Sequence, residues 1–192
     1  EALRRRGLAV TVIDLLPTVM AAMDRPFGRA IERELEANGV GVVTGVGVKA
    51  VHAETQEIEL SDGRRLPAEL VLFSVGVRPE LALARDAGLA LGAAGGLAVD
   101  DRLRTSDPDI LAVGDMVEVT HRVSGLKVRI PLAGPANRQG RLAASNALGL
   151  DLRYGGALGT SVVKVFEATA AMTGLSERAA REAGFQVGVA LV

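Results

Sequence analysis

Cysteine and tryptophan are missing from this 192-residue sequence, tyrosine occurs once, and aromatic residues make up only 3% of it. Without a thiol the chain has no disulfide, no cysteine-ligated zinc and no thiol nucleophile of its own, and a cytoplasmic location is expected. Charge of one sign is lacking as well: 22 Lys and Arg against 23 Asp and Glu leave a net charge of −1, and the arginines are scattered away from aromatic residues, so a nucleic-acid surface has no support. A long apolar run is also absent. Arg4, Arg5 and Arg6 precede the apolar stretch Leu8 to Ile13, but Asp14 ends it far too early for a secretory or membrane-spanning segment, so no membrane partner is expected. The arginines read instead as a solvated helix end, where cations are favoured. The two histidines, His52 and His121, are isolated from each other and from further ligands, so no metal site is expected and both read as surface or loop residues.

What is present is enough for a folded core. Hydrophobic residues make up 48% of the chain and glycines number 23, which suits a substantial core in one large domain or two small ones. The most informative stretch is Thr105-Ser-Asp-Pro-Asp-Ile-Leu-Ala-Val-Gly-Asp115, followed after a short variable loop by Ile130-Pro-Leu-Ala-Gly-Pro-Ala-Asn-Arg-Gln-Gly-Arg141. Ile110 to Val113 read as a short apolar strand closed by Gly114, which leaves room for a ligand, and by Asp115, whose carboxylate can accept from sugar-alcohol hydroxyls. Taken alone, an apolar strand ending in Gly-Asp is common in any α/β protein. The second stretch supplies a turn at Pro131, Gly134 and Pro135, then a helix from about Ala136 to Leu148 whose first N–H groups suit an electron-rich ligand.

The order of elements is that of an α/β chain. Glu1 to Arg6 read as the end of a helix stopped by Gly7, and Leu8 to Asp14 as a β-branched strand of a parallel sheet. In a dinucleotide-binding βαβ unit an acid at the end of such a strand accepts from the adenosine ribose hydroxyls. Asp14 stands at that place with no arginine immediately beyond it, which favours NAD over NADP; as a plain strand-end cap it would carry no ligand. Asp24 is expected to cap a helix from Arg25 to Ala37, ended by Asn38-Gly39, with Phe27, Ile31 and Leu35 on its buried face. Met20 and Met23 read as core filler. Extended segments follow at Gly41 to Thr44, Val46 to His52, Glu57 to Leu60 and Glu69 to Ser74, with a turn at Asp62-Gly63. A short helix and a Gly-rich return lead from Leu81 to a strand near Leu97 to Val99, without the spacing of a phosphate loop. Beyond a composition shift at Asp151 to Gly156 come strands at Ser161 to Val165 and Thr169 to Met172, a helix capped by Ser176, and a last strand from Gln186 to Val192. Lys164 and Glu167 read as strand-face charges.

The paired stretches ending in Gly114-Asp115 and beginning at Ile130 resemble the pyridine nucleotide-disulfide oxidoreductase superfamily, most sharply its coenzyme A disulfide reductases and NADH oxidases. Ser74-Val-Gly-Val-Arg-Pro-Glu80, Gly159-Thr-Ser-Val-Val-Lys-Val-Phe-Glu167 and Thr173-Gly-Leu-Ser-Glu177 extend the likeness. The resemblance implies an α/β fold: a Rossmann-like, three-layer NAD-binding part with an antiparallel meander over residues 1–78, the C-terminal part of an FAD-binding domain over 79–149, and the start of an α+β dimerisation domain over 150–192. It implies that Gly114 and Asp115 hold the ribitol of FAD, that Pro131, Leu132 and Ala133 face the flavin ring, and that Gly76 approaches the nicotinamide nucleotide. Arg138 helps bind an anionic coenzyme A substrate on the same resemblance; read without it, Arg138 is a surface arginine paired with a carboxylate, and Gly76 is a turn residue. The implied chemistry is hydride transfer from NADH, or NADPH, to FAD and on to a disulfide, polysulfide or oxygen, in a homodimer. The redox cysteine would lie outside this stretch, so no catalytic residue is assigned within it and the chain reads as an internal piece of a longer enzyme. Two other readings stay open: a cysteine-independent flavoprotein reductase of the ferredoxin-reductase type, and a non-catalytic nucleotide-binding or dimerisation module.

Overall fold

The computed structural model describes residues 1–191, which form two compact units, Glu1–Val75 with Val162–Ala171, and Gly76–Ser161 with the residues from Met172 onward.

In the first unit, the short helix α1 (Ala2–Arg5) leads into strand β1 (Val10–Asp14), whose β-branched run pairs in parallel with β2 (Val40–Thr44), from Val10 opposite Val40 to Asp14 opposite Thr44. Between them lies helix α2 (Arg25–Ala37), with Pro26 in its first turn, where a missing N–H costs nothing. Asp24 occupies the expected N-cap position, but its side chain makes no capping bond. The buried face of α2 is Gly28, Ile31, Glu32 and Leu35, at helical spacing, and the helix packs on β2. Ile31 and Leu35 are buried as expected, but Phe27 lies off that face and is 52% exposed. The stripe is fixed by Gly28, where a side chain would press on the carbonyl oxygen of Val19. Glu32, 4% exposed, explains how an acid can share it: Oε1 accepts from the N–H of Val19 at 3.1 Å and Oε2 pairs with Arg29 at 2.7 Å. Met23 is buried as expected.

An antiparallel meander follows, β3 (Val48–His52), β4 (Glu57–Leu60) and β5 (Arg65–Pro67), with a register shift between Val48 and Ala50. Ile58 and Leu60 point inward while Glu57 and Glu59 alternate with them, the period of two that a half-buried strand requires. β5 was not anticipated, and the strand expected from Glu69 to Ser74 does not form. That segment is apolar, but no strand among the described residues pairs with it, and its Leu70, Leu72 and Phe73 stay exposed. A strand is stable only with a ladder partner.

The hairpin of β9 (Ser161–Val165) and β10 (Ala168–Met172) turns at Phe166 and Glu167. Its tip is held within the first unit by two carboxylates: Phe166 N–H donates to Glu1 Oε2 at 3.0 Å and Glu167 N–H to Glu34 Oε1 at 3.0 Å. Phe166 is buried beneath the guanidinium of Arg5, 5.9 Å from its ring centre.

The second unit opens with helix α3 (Ala82–Asp86) and strand β6 (Leu97–Ala98), which pairs in parallel with β7 (Val117–Thr120); β7 pairs in turn with the antiparallel β8 (Lys127–Arg129). The stretch read as a variable loop is therefore a hairpin. Leu81, Ala84, Leu97, Ala112, Val117 and Val119 make the core of this unit. Helix α4 (Ala133–Ala147) begins three residues earlier than expected, and α5 (Glu177–Glu182) begins at Ser176, whose hydroxyl accepts from the N–H of Ala179 as an N-cap should. Gln186 to Leu191 form no strand, and Val192 lies outside the described residues. His121 is buried, not superficial: its Nδ1 accepts from the N–H groups of Val123 and Ser124 and so organises the turn of the β7–β8 hairpin.

On the meander, Glu59 bonds to Lys49 at 2.6 Å and to His52 at 3.2 Å, and these bonds, Lys49 foremost, hold its carboxyl below the usual range. A carboxyl whose folded pKa is depressed contributes its full stabilisation above the unfolded value and loses it as pH falls through the folded value. Thermal unfolding followed from pH 6 downward is accordingly expected to show a fall in midpoint beginning near the ordinary carboxylate range, about pH 4. Glu59→Gln should make that fall shallower; an unchanged acid profile contradicts the assignment.

Candidate functional site

The expected strand from Ile110 to Val113 is reduced to a single bridge, Leu111 opposite Arg104, because the chain here leaves the sheet to enter a 3-10 turn, Gly114–Met116. Val113 is still extended, and Gly114 turns the chain with φ +84, a conformation costly for any residue with a Cβ. No heavy atom lies within 4 Å of where a Gly114 side chain would begin, so the space beside it is open. Asp115 follows, exposed, with no hydrogen-bond or ion-pair partner among the described residues. Its carboxylate keeps its full accepting capacity.

The turn is fixed from the other side by a residue that the sequence reading passed over. Gln139, on the second turn of α4 and only 1% exposed, accepts the Gly114 N–H through Oε1 at 2.7 Å. The two motifs singled out in the sequence are thereby joined, and the sheet-side turn carrying Asp115 is set beside the start of α4. Pro131, Leu132 and Ala133 lead into that start, Leu132 extended at the N-cap and half-buried, Pro131 and Ala133 exposed. Leu132 has no side-chain oxygen to cap the helix, so the first-turn N–H groups of α4 remain available to an external acceptor. A signal for Gln139 did exist: an uncharged amide in the Asn-Arg-Gln-Gly run, seven residues before the amide of Asn146 and so on the same helix face. At its far end α4 is held by a second buried amide, Asn146, whose Nδ2 donates to the carbonyls of Arg102 and Leu152 and whose Oδ1 accepts from Leu152 N–H. Beside it Arg102 pairs with Asp151, a bond that holds the Asp151 carboxyl below its usual range.

Asp14 and Gly76 belong to separate parts of the chain. Asp14 ends β1, half-buried, with Oδ1 accepting from Leu16 N–H at 2.9 Å, which shapes the turn and leaves the second oxygen as an acceptor. Gly76 is exposed, has φ +89, and has nothing within 4 Å of a would-be Cβ, so a ligand could reach its backbone closely. Arg138 is exposed and has no carboxylate partner among the described residues. It lines a cleft of about 280 Å³ together with Arg122, Tyr154 and the turn from Gly156 to Thr160. Among the described residues no group of three or more His, Cys, Asp or Glu is arranged to hold a metal ion, and no helix is long and apolar enough to cross a membrane.

This is an α/β chain, with a parallel strand pair and an antiparallel meander in the first unit and a glycine-turn carboxylate beside a helix start in the second. The chain belongs to the pyridine nucleotide-disulphide oxidoreductase family, whose model matches residues 1–140. It is 30% identical over its whole length to the NAD(P)H coenzyme A polysulfide/persulfide reductase of Pyrococcus horikoshii, of which it covers 43%. Among solved structures it superposes on reduced Bacillus anthracis CoADR-RHD with a TM-score of 0.92 and 38% identity, over 97% of this chain and 34% of that one. The NAD-dependent persulfide reductase of A. fulgidus gives the same TM-score and identity over 96% and 35%. The chain thus spans less than half the length of the relatives it matches.

An unpaired carbonyl-directed N–H at Gly114 would carry the desolvation cost of a buried donor. Gln139→Leu keeps the volume and removes the acceptor, and is expected to destabilise the protein by about 1–3 kcal/mol. Denaturant unfolding measures this; a leucine variant as stable as the parent would show that the bond does not organise the turn.

Proposed function

We propose that this chain is part of an FAD-dependent NAD(P)H oxidoreductase of the coenzyme A disulfide reductase and NADH oxidase type, with Gly114 and Asp115 forming the ribitol side of the flavin site. The observation that carries this reading is the exposed, unpartnered Asp115 carboxylate fixed beside the start of α4 by the Gly114–Gln139 bond. A sugar alcohol offers hydroxyl donors to such an acceptor, and an open space beside Gly114 admits it. Pro131, Leu132 and Ala133 would lie toward the ring, where the uncapped N–H groups of α4 favour negative charge.

When bound, the flavin supplies two-electron chemistry between the reduced nicotinamide and an acceptor. This chain's residues bind and orient. Asp14, with one oxygen already engaged, offers the other to ribose hydroxyls and repels a 2′-phosphate, which supports NADH as donor with NADPH as the weaker substrate. Gly76 supplies backbone without a side chain toward the nicotinamide nucleotide, and Arg138 supplies a guanidinium to an anionic acceptor such as coenzyme A disulfide. No thiol is present in this chain, so a redox cysteine, if the acceptor is a disulfide or polysulfide, belongs to another part of the protein. Residues 1–78 are read as the NAD-binding part, 79–149 as part of the FAD domain and 150–192 as the start of the dimerisation domain of a cytoplasmic homodimer. The relatives named above support the choice of type.

The test is the visible spectrum of the full gene product. A yellow protein that bleaches on adding NADH, with Asp14→Ala raising the KM for NADH roughly tenfold at little change in kcat, supports the proposal. A folded full-length product without bound flavin sinks it.

A further inference from the structure

Glu32 places a charge where helix α2 calls for an apolar side chain. It is buried in the stripe of Gly28, Ile31 and Leu35, and a carboxylate there is costly unless its oxygens are engaged. Both are. Oε2 takes Arg29 at 2.7 Å, while Oε1 reaches out of the helix to the main-chain N–H of Val19 at 3.1 Å. The other buried acid among the described residues, Glu118, accepts from Gly96 N–H and serves the glycine return before β6 in the second unit. Of the two, Glu32 serves the loop that follows Asp14.

That loop, residues 15–24, contains no helix or strand, yet its middle is buried: Thr18 and Val19 are covered, and a Cβ on Gly28 would press on both. Met20, immediately beyond, has φ +54, which a residue with a Cβ keeps only where its surroundings hold it. The near half of the loop is tied to Asp14 itself. Leu16 N–H donates to Asp14 Oδ1 at 2.9 Å, and the Leu16 carbonyl accepts from Gly45 N–H at 2.8 Å. Leu16 thus lies between two anchors, Gly45 and, a few residues on, Val19, and its N–H sets how the Asp14 carboxylate is turned.

We infer that Glu32 is a positioning residue for the nucleotide site: by anchoring Val19 it holds Leu16, and through Leu16 the Asp14 carboxylate, in the orientation that accepts a ribose diol. The inference rests on the reading of Asp14 as the ribose acceptor and adds the residue that orients it. Without the Glu32 oxygen the Val19 N–H is buried and unpaired, so the loop must open to water or find another bond. Either movement frees Leu16 and lets Asp14 turn. An acceptor that must be re-ordered when the nucleotide arrives costs affinity and leaves the chemical step alone, so the effect falls on KM and not on kcat.

Steady-state kinetics of the full-length flavoprotein with NADH tests this in Glu32→Leu, Glu32→Gln and Asp14→Ala, singly and combined. Glu32→Leu is expected to raise the KM for NADH about fivefold with kcat within about twofold of the parent, and Glu32→Gln, whose amide oxygen still accepts from Val19, to keep KM within about twofold. In an Asp14→Ala background Glu32→Leu is expected to add nothing to KM, because its effect passes through that carboxylate. A purely structural role would lower the thermal midpoint and act alike in both backgrounds. Should Glu32→Leu not fold, Glu32→Asp, which keeps the charge and withdraws it from Val19 by one methylene, carries the same comparison. Unchanged KM in the folded variant, or an equal effect with and without Asp14, overturns the inference, while a raised KM in Asp14→Ala leaves the ribose reading standing. An Asp14→Ala enzyme with the KM of the parent overturns both.

Discussion

One hydrogen bond organises the candidate site of this protein, the 2.7 Å bond from the Gly114 N–H to the buried amide oxygen of Gln139. Residues 25 apart in sequence meet there, one on a turn leaving the sheet and the other on α4. The bond satisfies a donor that the left-handed turn at Gly114 takes out of the ladder. It also fixes the direction in which Asp115 faces. Because Gln139 is almost wholly buried, its amide cannot exchange this bond for water without disturbing the helix. The exposed carboxylate is therefore held by buried groups and is itself left unengaged, which is the condition for a binding residue to be oriented before its ligand arrives.

Helix α4 belongs to the same scaffold. α4 is secured at Gln139 and again at Asn146, and Arg138 leaves it from the next position before Gln139, on the outward side. Inward amides and an outward arginine at adjacent positions are what a helix half-buried on one face produces. A single helix thus carries an uncapped start and the lock on the Asp115 turn.

Much of this was legible in the sequence. The β-branched run before Asp14, the helix ended by Asn38-Gly39, the meander strands Val48–His52 and Glu57–Leu60, and the Ser176 cap all express local preferences that packing did not overrule. The errors lie where tertiary structure decides. Phe27 sits at the apolar spacing of Ile31 and Leu35, but the buried face of α2 is completed by Gly28, which closely approaches Val19, and by Glu32 instead. Leu70 to Ser74 have a strand's composition and no strand beside them. Ile110 to Val113 are apolar but feed a turn, and Val117 to Arg129, taken for a loop, pair as a hairpin around buried His121. Of the candidate site, the exposure of Asp115 and the glycine turn at Gly114 were legible from the motif; Gln139 was not, because its part depends on which distant group it meets.

The central claim is that Asp115, held by the Gly114–Gln139 bond, is a flavin-binding residue. The most direct measurement is the dissociation constant of FAD for the full-length protein and its Asp115→Ala variant, followed by the change in flavin fluorescence on binding to the flavin-stripped proteins. The account predicts FAD affinity at least about tenfold weaker in a variant whose fold and thermal midpoint are preserved, since a charge-assisted acceptor to the ribitol is lost. Equal affinity for the two proteins contradicts it.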